Sequence, residues 1–258
     1  MNLVIDVPSG GRWFEGHFPG RPILPGVAQI ALVMEALTRE SDHALSLRGI
    51  AFARLRQLVL PGDRLELLAR ESTPGHLRFD LKRDGMAVTN GEFITGAPQV
   101  QDDATPAGPA VSTHEPPAAT LDELLPHRPP MRFLSAVLQE TAQGLVGTAC
   151  IPAGCALVCG GSASPVAAIE AAAQAAAAWE SLRRRREAGR GGPRIGYLVA
   201  MRDIVFFAQR VPADRDLQVA VALDAVALPM THYRIEVTLD AGVLARGMIA
   251  TFLTDEAA

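Results

Sequence analysis

Several features are scarce in this 258-residue sequence, and each absence excludes a class of protein. Only three cysteines occur, which is too few for a disulfide framework in a chain of this length. No histidine lies near Cys150, Cys155 and Cys159, and their spacing matches no zinc pattern. We therefore expect buried thiols and no metal site. The net charge of −4 argues against nucleic acid or an anionic membrane as the main partner.

Targeting and membrane segments are also missing from the pattern. Residues 1–6 lack a basic region before an apolar stretch and do not resemble a secretory signal peptide. No apolar run reaches about 18 residues, because Glu170 and Gln174 interrupt the alanine-rich stretch 166–179. We expect a cytoplasmic chain without membrane insertion. A hydrophobic content of 48% is sufficient for substantial cores.

A loop rich in glycine and proline dominates the first half. Residues 16–27 contain three glycines and three prolines, and His17 lies near the start of this stretch. The composition predicts a shaped loop rather than a regular element. An apolar segment follows and predicts a helix over 26–40. A loop that carries a histidine into a helix N-terminus can supply a base and an oxyanion site together.

The two halves repeat one plan. The first predicts a strand at 3–7, the helix, and a meander over 47–60, 64–71, 76–83 and 86–95, with a hairpin turn at Asp84-Gly85. The second predicts a helical turn at 121–125, a helix from Pro165 to about Ala188 with Ser164 as N-cap, and strands at 131–140, 144–151, 196–207, 217–225, 231–239 and 243–253. This repetition indicates an internal duplication.

The segment between the halves differs in composition. It places five prolines among Ala, Gly, Asp and Ser, a mixture that cannot build a core. We therefore expect two domains, 1–96 and 121–258, joined by a Pro/Ala-rich linker at 97–120. Each domain should wrap one long helix in a curved antiparallel sheet, which is an α+β fold.

Two motifs resemble known enzymes. Residues 16–29, Gly-His-Phe-Pro-Gly through Pro-Gly-Val-Ala-Gln, resemble the active-site loop of hotdog-fold 3-hydroxyacyl-[acyl-carrier-protein] dehydratases, especially those of aryl-polyene pigment pathways. Residues 124–131, together with 169–174, resemble a second dehydratase type from such pathways. The resemblance implies a double hotdog: two curved antiparallel sheets, each around a central helix, form a pseudo-dimer in one chain. This arrangement resembles the dehydratase domains of polyketide and fatty-acid synthases, which are also double hotdogs.

In this family a histidine and an acid from opposite subunits cooperate, and the acid follows the histidine by 14 positions. Fourteen positions after His17 stands Ala31, and fourteen before Glu170 stands Ala156. Each half therefore lacks what the other half has. The resemblance implies a single composite site that contains His17 and Glu170.

The two halves also differ at the position where the family has a glycine in the active-site loop. Gly26 occupies this position in the first half, whereas its counterpart in the second half is Pro165, which has no N–H to donate. The second site, with alanines at 31 and 156, should therefore be inactive.

The resemblance implies a mechanism for the composite site. His17 would remove the C2 proton, and the amides of Gly26 and Val27 would polarise the thioester carbonyl. Glu170 would protonate or orient the leaving hydroxyl, for which it needs a raised pKa, and its apolar surroundings favour one. Gln174, one turn later, would hold Glu170. The family gives His127 a structural role, and no cofactor is expected.

These features predict dehydration of 3-hydroxyacyl thioesters to trans-2-enoyl thioesters, with a phosphopantetheine-bearing acyl carrier protein as partner. A hotdog thioesterase and a non-catalytic acyl-binding or scaffolding subunit are the alternatives. The basic run Arg183–Arg186 is either a solvated helix end or a docking patch for an acidic carrier. Further association of pseudo-dimers into a homo-oligomer stays open.

Overall fold

The structure, a computed structural model, describes residues 1–41, 45–96, 119–188 and 194–257. The helices are α1 Gly26–Glu40, α2 Leu121–Leu124 and α3 Ala167–Ala188. The strands of the first half are β1 Asn2–Asp6, β2 Leu47–Leu55, β3 Arg64–Thr73, β4 His76–Arg83 and β5 Met86–Thr95. The long strands of the second half are β6 Leu134–Thr141, β7 Gly144–Cys150, β10 Arg194–Phe206, β12 Asp216–Ala227, β13 Met230–Leu239 and β14 Gly242–Ala257. Three two-residue strands, β8 Val158–Cys159, β9 Ser162–Ala163 and β11 Val211–Pro212, form a small separate sheet.

Local sequence accounts for most of the first half. Helix α1 begins directly after Pro25, whose extended backbone (φ −54°, ψ 144°) stops any helix from extending further back. Its buried face carries apolar side chains at helical spacing, among them Val27, Ile30 and Val33. The hairpin between β4 and β5 turns at Asp84-Gly85, as predicted, and both residues have positive φ.

One continuous eleven-stranded sheet carries both halves, in the order β1-β3-β4-β5-β2-β10-β14-β13-β12-β7-β6. The halves join where β2 and β10 pair antiparallel, for example at Ala53 opposite Met201 and Ile50 opposite Ile204. The two sheets expected from the sequence are therefore joined edge to edge into one. The strand order on either side of the junction is equivalent, with β2 corresponding to β10, β5 to β14, β4 to β13 and β3 to β12.

Helix α3 is the central helix of the second half, and alanines cover most of its buried surface. Small side chains allow the helix to approach the sheet closely. Near its middle, Glu180 is buried and accepts hydrogen bonds from Tyr233 (2.5 Å) and from Arg183 (3.0 Å). Among the described residues, no helix is long and apolar enough to cross a membrane.

The basic run at the end of α3 is engaged in contacts within the chain. Arg183 pairs with Glu180, Arg184 donates to Ser181, and Arg185 lies 3.4 Å from Glu123 of α2. Arg186 pairs with Glu140 of β6. Arg185 and Arg186 therefore hold the end of the helix to α2 and β6, whereas Arg183 and Arg184 contact residues of α3 itself.

Some sequence expectations are corrected or fall outside the described residues. The predicted linker at 97–120 lies outside them except for its last two residues. Of the cysteines expected to be buried, Cys155 is, whereas Cys150 is half-buried and Cys159 is exposed. Cys159 lies in the short strand β8, which leads into a tight turn through two glycines with positive φ, and such turns lie at the surface.

Candidate active site

The glycine- and proline-rich loop folds back on itself around His17. The amides of Phe18 and Arg21 each donate to the carbonyl of the other, and Ile23 N–H donates to the His17 carbonyl. The His17 side chain completes the loop, because its Nδ1 lies 2.8 Å from the Ile23 carbonyl oxygen. A carbonyl only accepts, so Nδ1 carries the proton and Nε2 keeps a lone pair. This tautomer leaves Nε2 as a base.

A second loop, from the other half of the chain, packs against this one. The Arg128 amide donates to the Gly16 carbonyl at 2.9 Å. A Cβ at Gly16 would lie 1.8 Å from the Arg128 carbonyl oxygen, and the φ of Gly16 is +79°. Only glycine fits both constraints. The contact brings His17 to His127, with ring centroids 5.2 Å apart.

Glu170 enters the same place from the first turns of α3. It is 4% exposed, and Gln174, one helical turn later, donates to its Oε1 at 2.9 Å. The Gln174 amide also donates to the Met131 carbonyl, and its oxygen accepts from the amides of Phe133 and Leu134. The glutamine therefore holds Glu170 and also ties it to the chain that leads into β6.

His127 is the site residue that sequence reasoning missed. Its Nε2 lies 3.4 Å from Glu170 Oε1, a distance at the long end for a hydrogen bond and common in empty active sites. The ring packs edge-on against Phe18. His127 therefore lies beside the acid, whereas the resemblance implies only a structural role for it. Counting 14 positions back from Glu170 could not find it, because it lies 43 positions before Glu170.

The three side chains form one buried cluster. One ligand-type atom from each of His17, His127 and Glu170 lies within 4.8 Å of the other two. Such side chains also bind divalent metals. Here hydrogen bonds to Ile23 and Gln174 hold them, and their arrangement is that of a base and an acid facing one substrate. The cluster can therefore serve proton transfer.

Burial sets the protonation state of the base. Removal from water and the neighbouring His127 together lower the pKa of His17 to about 4, although Glu170 and the Ile23 carbonyl oppose the shift. His17 is therefore neutral at pH 7 and ready to accept a proton.

The pKa of Glu170 differs from the sequence expectation. Burial raises it, but the contact and charge of His127, the charge of His17 and the Gln174 hydrogen bond together lower it below its usual value. The apolar neighbours that suggested a raised pKa are present, and the polar contacts of the cluster outweigh them. Glu170 is therefore ionised at pH 7.

A cavity of about 610 Å³ opens onto the cluster. Gly26 lines it at the N-terminus of α1, where the first amides of a helix have no intrahelical acceptor. Those of Gly26 and Val27 can therefore bind a carbonyl oxygen. Ala173 and Ala177 continue the lining along α3, on the face that carries Glu170. The cavity is long enough for an extended chain, about 15 Å from Glu170 to Glu180 along the helix.

The residues expected at a second, inactive site lie elsewhere. None of Ala31, Ala156 and Pro165 lines this cavity. Ala31 lies on α1, and Pro165 precedes the first turn of α3, where its carbonyl accepts from the Ala168 amide. The structure therefore brings His17, Glu170 and Gly26 to one cavity, with Gln174 hydrogen-bonded to Glu170, and leaves these three positions outside. Val27, the next residue of α1, is buried and does not line the cavity.

Each half of the chain matches the model of a known protein family. Residues 1–92 match a family model described as ApeI-like, the ApeI dehydratase, and residues 119–258 match one described as ApeP-like, the ApeP dehydratase. The 3-hydroxyacyl-[acyl-carrier-protein] dehydratase FabZ of Myxococcus xanthus is 34% identical over 43% of this chain and 77% of its own length. FabZ of Sorangium cellulosum is 35% identical over 32% of the chain and 61% of its own length. The chain thus spans about three fifths of some curated relatives.

Solved structures share the fold along almost the whole chain. The dehydratase domain of PpsC from Mycobacterium tuberculosis superposes with a TM-score of 0.73 at 12% identity, covering 98% of this chain and 93% of its own. The dehydratase domain of RzxB from Pseudomonas fluorescens gives 0.67 at 17% identity, covering 97% and 93%. These likenesses confirm the double-hotdog fold expected from the sequence.

Proposed function

Because the chain belongs to the family of ApeP-like dehydratases, we propose that it removes water from 3-hydroxyacyl thioesters to give trans-2-enoyl thioesters. The observation that carries this proposal is the convergence of His17, Glu170 and the helix N-terminus at Gly26 on one cavity. Dehydration needs a base at C2, a polarised thioester carbonyl and a group that receives the C3 hydroxyl. The cavity offers one of each.

The amides at the start of α1 prepare the substrate for proton removal. A thioester carbonyl bound by the Gly26 and Val27 amides develops negative charge at a positive helix end. This makes the C2 hydrogen more acidic. Neutral His17 then takes the C2 proton at Nε2, while Nδ1 stays bound to the Ile23 carbonyl. The electron pair of the C2–H bond forms the new double bond.

The hydroxyl leaves on the side of Glu170. The C3–O bond breaks with its electron pair on oxygen, and a proton completes the water molecule. Glu170, fixed by Gln174, orients this group. We propose units at 1–96 and 121–258 joined by 97–120, so that one half supplies the base and the other the acid.

The proposed substrate is carried on the phosphopantetheine of an acyl carrier protein, in biosynthesis of the fatty-acid or polyketide kind, including aryl polyenes. Support comes from the names of the related dehydratases and from a cavity long enough for an acyl chain. The chain length of the substrate is for the experiment to establish.

The test is incubation with a panel of 3-hydroxyacyl carrier proteins, followed by mass spectrometry of the intact carrier. The expected product has lost one water, and His17→Gln should form none. Free acid with unloaded carrier would instead identify a thioesterase. An unchanged carrier across the panel would favour the non-catalytic acyl-binding subunit and overturn the proposal.

A further inference from the structure

Glu170 poses a chemical problem for the proposed reaction. A leaving hydroxyl must gain a proton, yet an ionised carboxylate has none to give. Among the residues that the structure describes, Gln174 and His127 are the polar groups recorded at its Oε1. An amide N–H is too weak an acid to protonate a leaving group near pH 7, whereas an imidazolium can do so. The proton source must therefore be sought at His127.

The charge balance of the cluster leads to the same residue. Glu170 is 4% exposed, and a buried carboxylate is strongly destabilised unless a cation pairs with it. His17 is neutral at pH 7, and the nearby thiol of Cys155, whose pKa is raised to about 11, is neutral as well. His127, 6% exposed and 3.4 Å away, is the partner that can carry the compensating charge.

Hydrogen bonds in the loop that carries His127 fix the position of its ring. Its loop is anchored by the Arg128 amide on Gly16 and by the Arg128 guanidinium on the carbonyls of Leu125 and His127. Its Nδ1 is buried, and no described residue is within hydrogen-bonding distance of it. Nε2 is therefore the nitrogen that exchanges protons with the site.

We propose that His127, as an imidazolium paired with Glu170, holds the proton that the leaving hydroxyl takes up and delivers it through Glu170. This rests on the proposed dehydration. The Nε2 proton moves to a Glu170 oxygen, and Glu170 protonates the departing oxygen to form water. His127 is left neutral with its proton on Nδ1. The proton taken from C2, held on His17 Nε2, then passes to His127 Nε2. It replaces the proton that His127 gave up, and the site is back in its starting state.

In this scheme His127 is a positioning residue, because it acts on the leaving hydroxyl through Glu170. A 3-fluoroacyl thioester distinguishes the loss of proton supply from a general disturbance of packing in the site, because fluoride leaves without prior protonation. For His127→Gln we expect kcat to fall by about 10²-fold on the 3-hydroxyacyl substrate and less than about tenfold on the 3-fluoroacyl substrate, with little change in KM. Equal losses on both substrates, or no loss on either, would overturn the proposal.

His76→Gln is the matched control. His76 also pairs with a glutamate, Glu92, at 2.8 Å, but it does not line the cavity. This variant should retain wild-type rates on both substrates, and thermal melts of both variants check folding. Failure of the wild-type protein to dehydrate any carrier would count against the proposed function, whereas the substrate-specific loss tests His127 alone.

The wild-type protein gives a test that does not depend on a variant folding. The pair must hold a proton when the hydroxyl leaves, so kcat on the 3-hydroxyacyl substrate should fall at alkaline pH, where the pair has lost this proton. The 3-fluoroacyl substrate should lack this alkaline fall. The same fall with both substrates would overturn the proposal.

Discussion

The two central helices begin differently, and the difference explains why each needs the other. Helix α1 begins at Gly26, which lines the cavity and has an N–H, but its position 31 is alanine. Helix α3 is preceded by Pro165, which has no N–H, but it carries Glu170 one turn later. One helix therefore offers an oxyanion site and the other an acid. A duplicated chain can lose one of two equivalent sites without losing the reaction.

The largest expected effect comes from dividing the site between two variants. His17→Ala and Glu170→Gln should each lower kcat/KM by about 10²–10⁴-fold or more, since each removes one proton-transfer group. Mixing the two purified variants should restore nothing, because the β2–β10 pairing joins both contributors within one chain. The measurement is carrier-protein dehydration by mass. Recovered activity in the mixture would show that the site forms between chains.

A smaller loss is expected when the start of α1 is made like that of α3. Gly26→Pro removes the amide, and Pro25 already has the extended backbone that a following proline requires. We expect kcat to fall by about 10²–10³-fold, the effect of losing one oxyanion donor.

Gly26→Ala is the control, because it keeps the amide. Its Cβ would lie 2.7 Å from the end of the Leu55 side chain, which can move aside. The reciprocal change, Pro165→Gly, should leave the rate within about twofold. Equal losses from the proline and alanine variants would contradict a role for the amide.

The smallest expected effect comes from a change of pH, which alters the protonation of His17. His17 must be neutral to act, and burial lowers its pKa to about 4, so kcat/KM should fall as pH drops through about 4 rather than near 6.5. The same shift lowers stability as pH falls from about 6.5 to 4, because the unfolded chain binds the proton first. Circular dichroism must therefore confirm folding at each pH. An acid fall near 6.5 would contradict His17 as the buried base.

Local patterns made much of this molecule predictable. The bounds of α1 follow from Pro25 and the spacing of its apolar residues, and the β4–β5 hairpin follows from Asp84-Gly85. The pairing of His17 with Glu170 was reached from a family resemblance and from the alanines at 31 and 156. Two-residue strands such as β8 and β9 carry no periodicity and could not be predicted.

His127 and the protonation of Glu170 escaped prediction for one reason. Both depend on two loops, from opposite halves, that meet where Gly16 has no side chain and Arg128 donates to its carbonyl. Periodicity and spacing describe residues that are close along the chain, so they do not predict a contact between two distant loops. The carboxylate pKa then follows from a histidine that the sequence alone had not placed beside it.

The edge-to-edge pairing of β2 with β10 has a consequence for concentration. A site shared by two separate chains disappears on dilution, when the chains dissociate. Here the contributors are covalently joined, so each half meets the other at an effective concentration that dilution does not change. The stoichiometry is also fixed at one base and one acid per molecule. Two unlike halves can then diverge, because the covalent link keeps each half beside its partner.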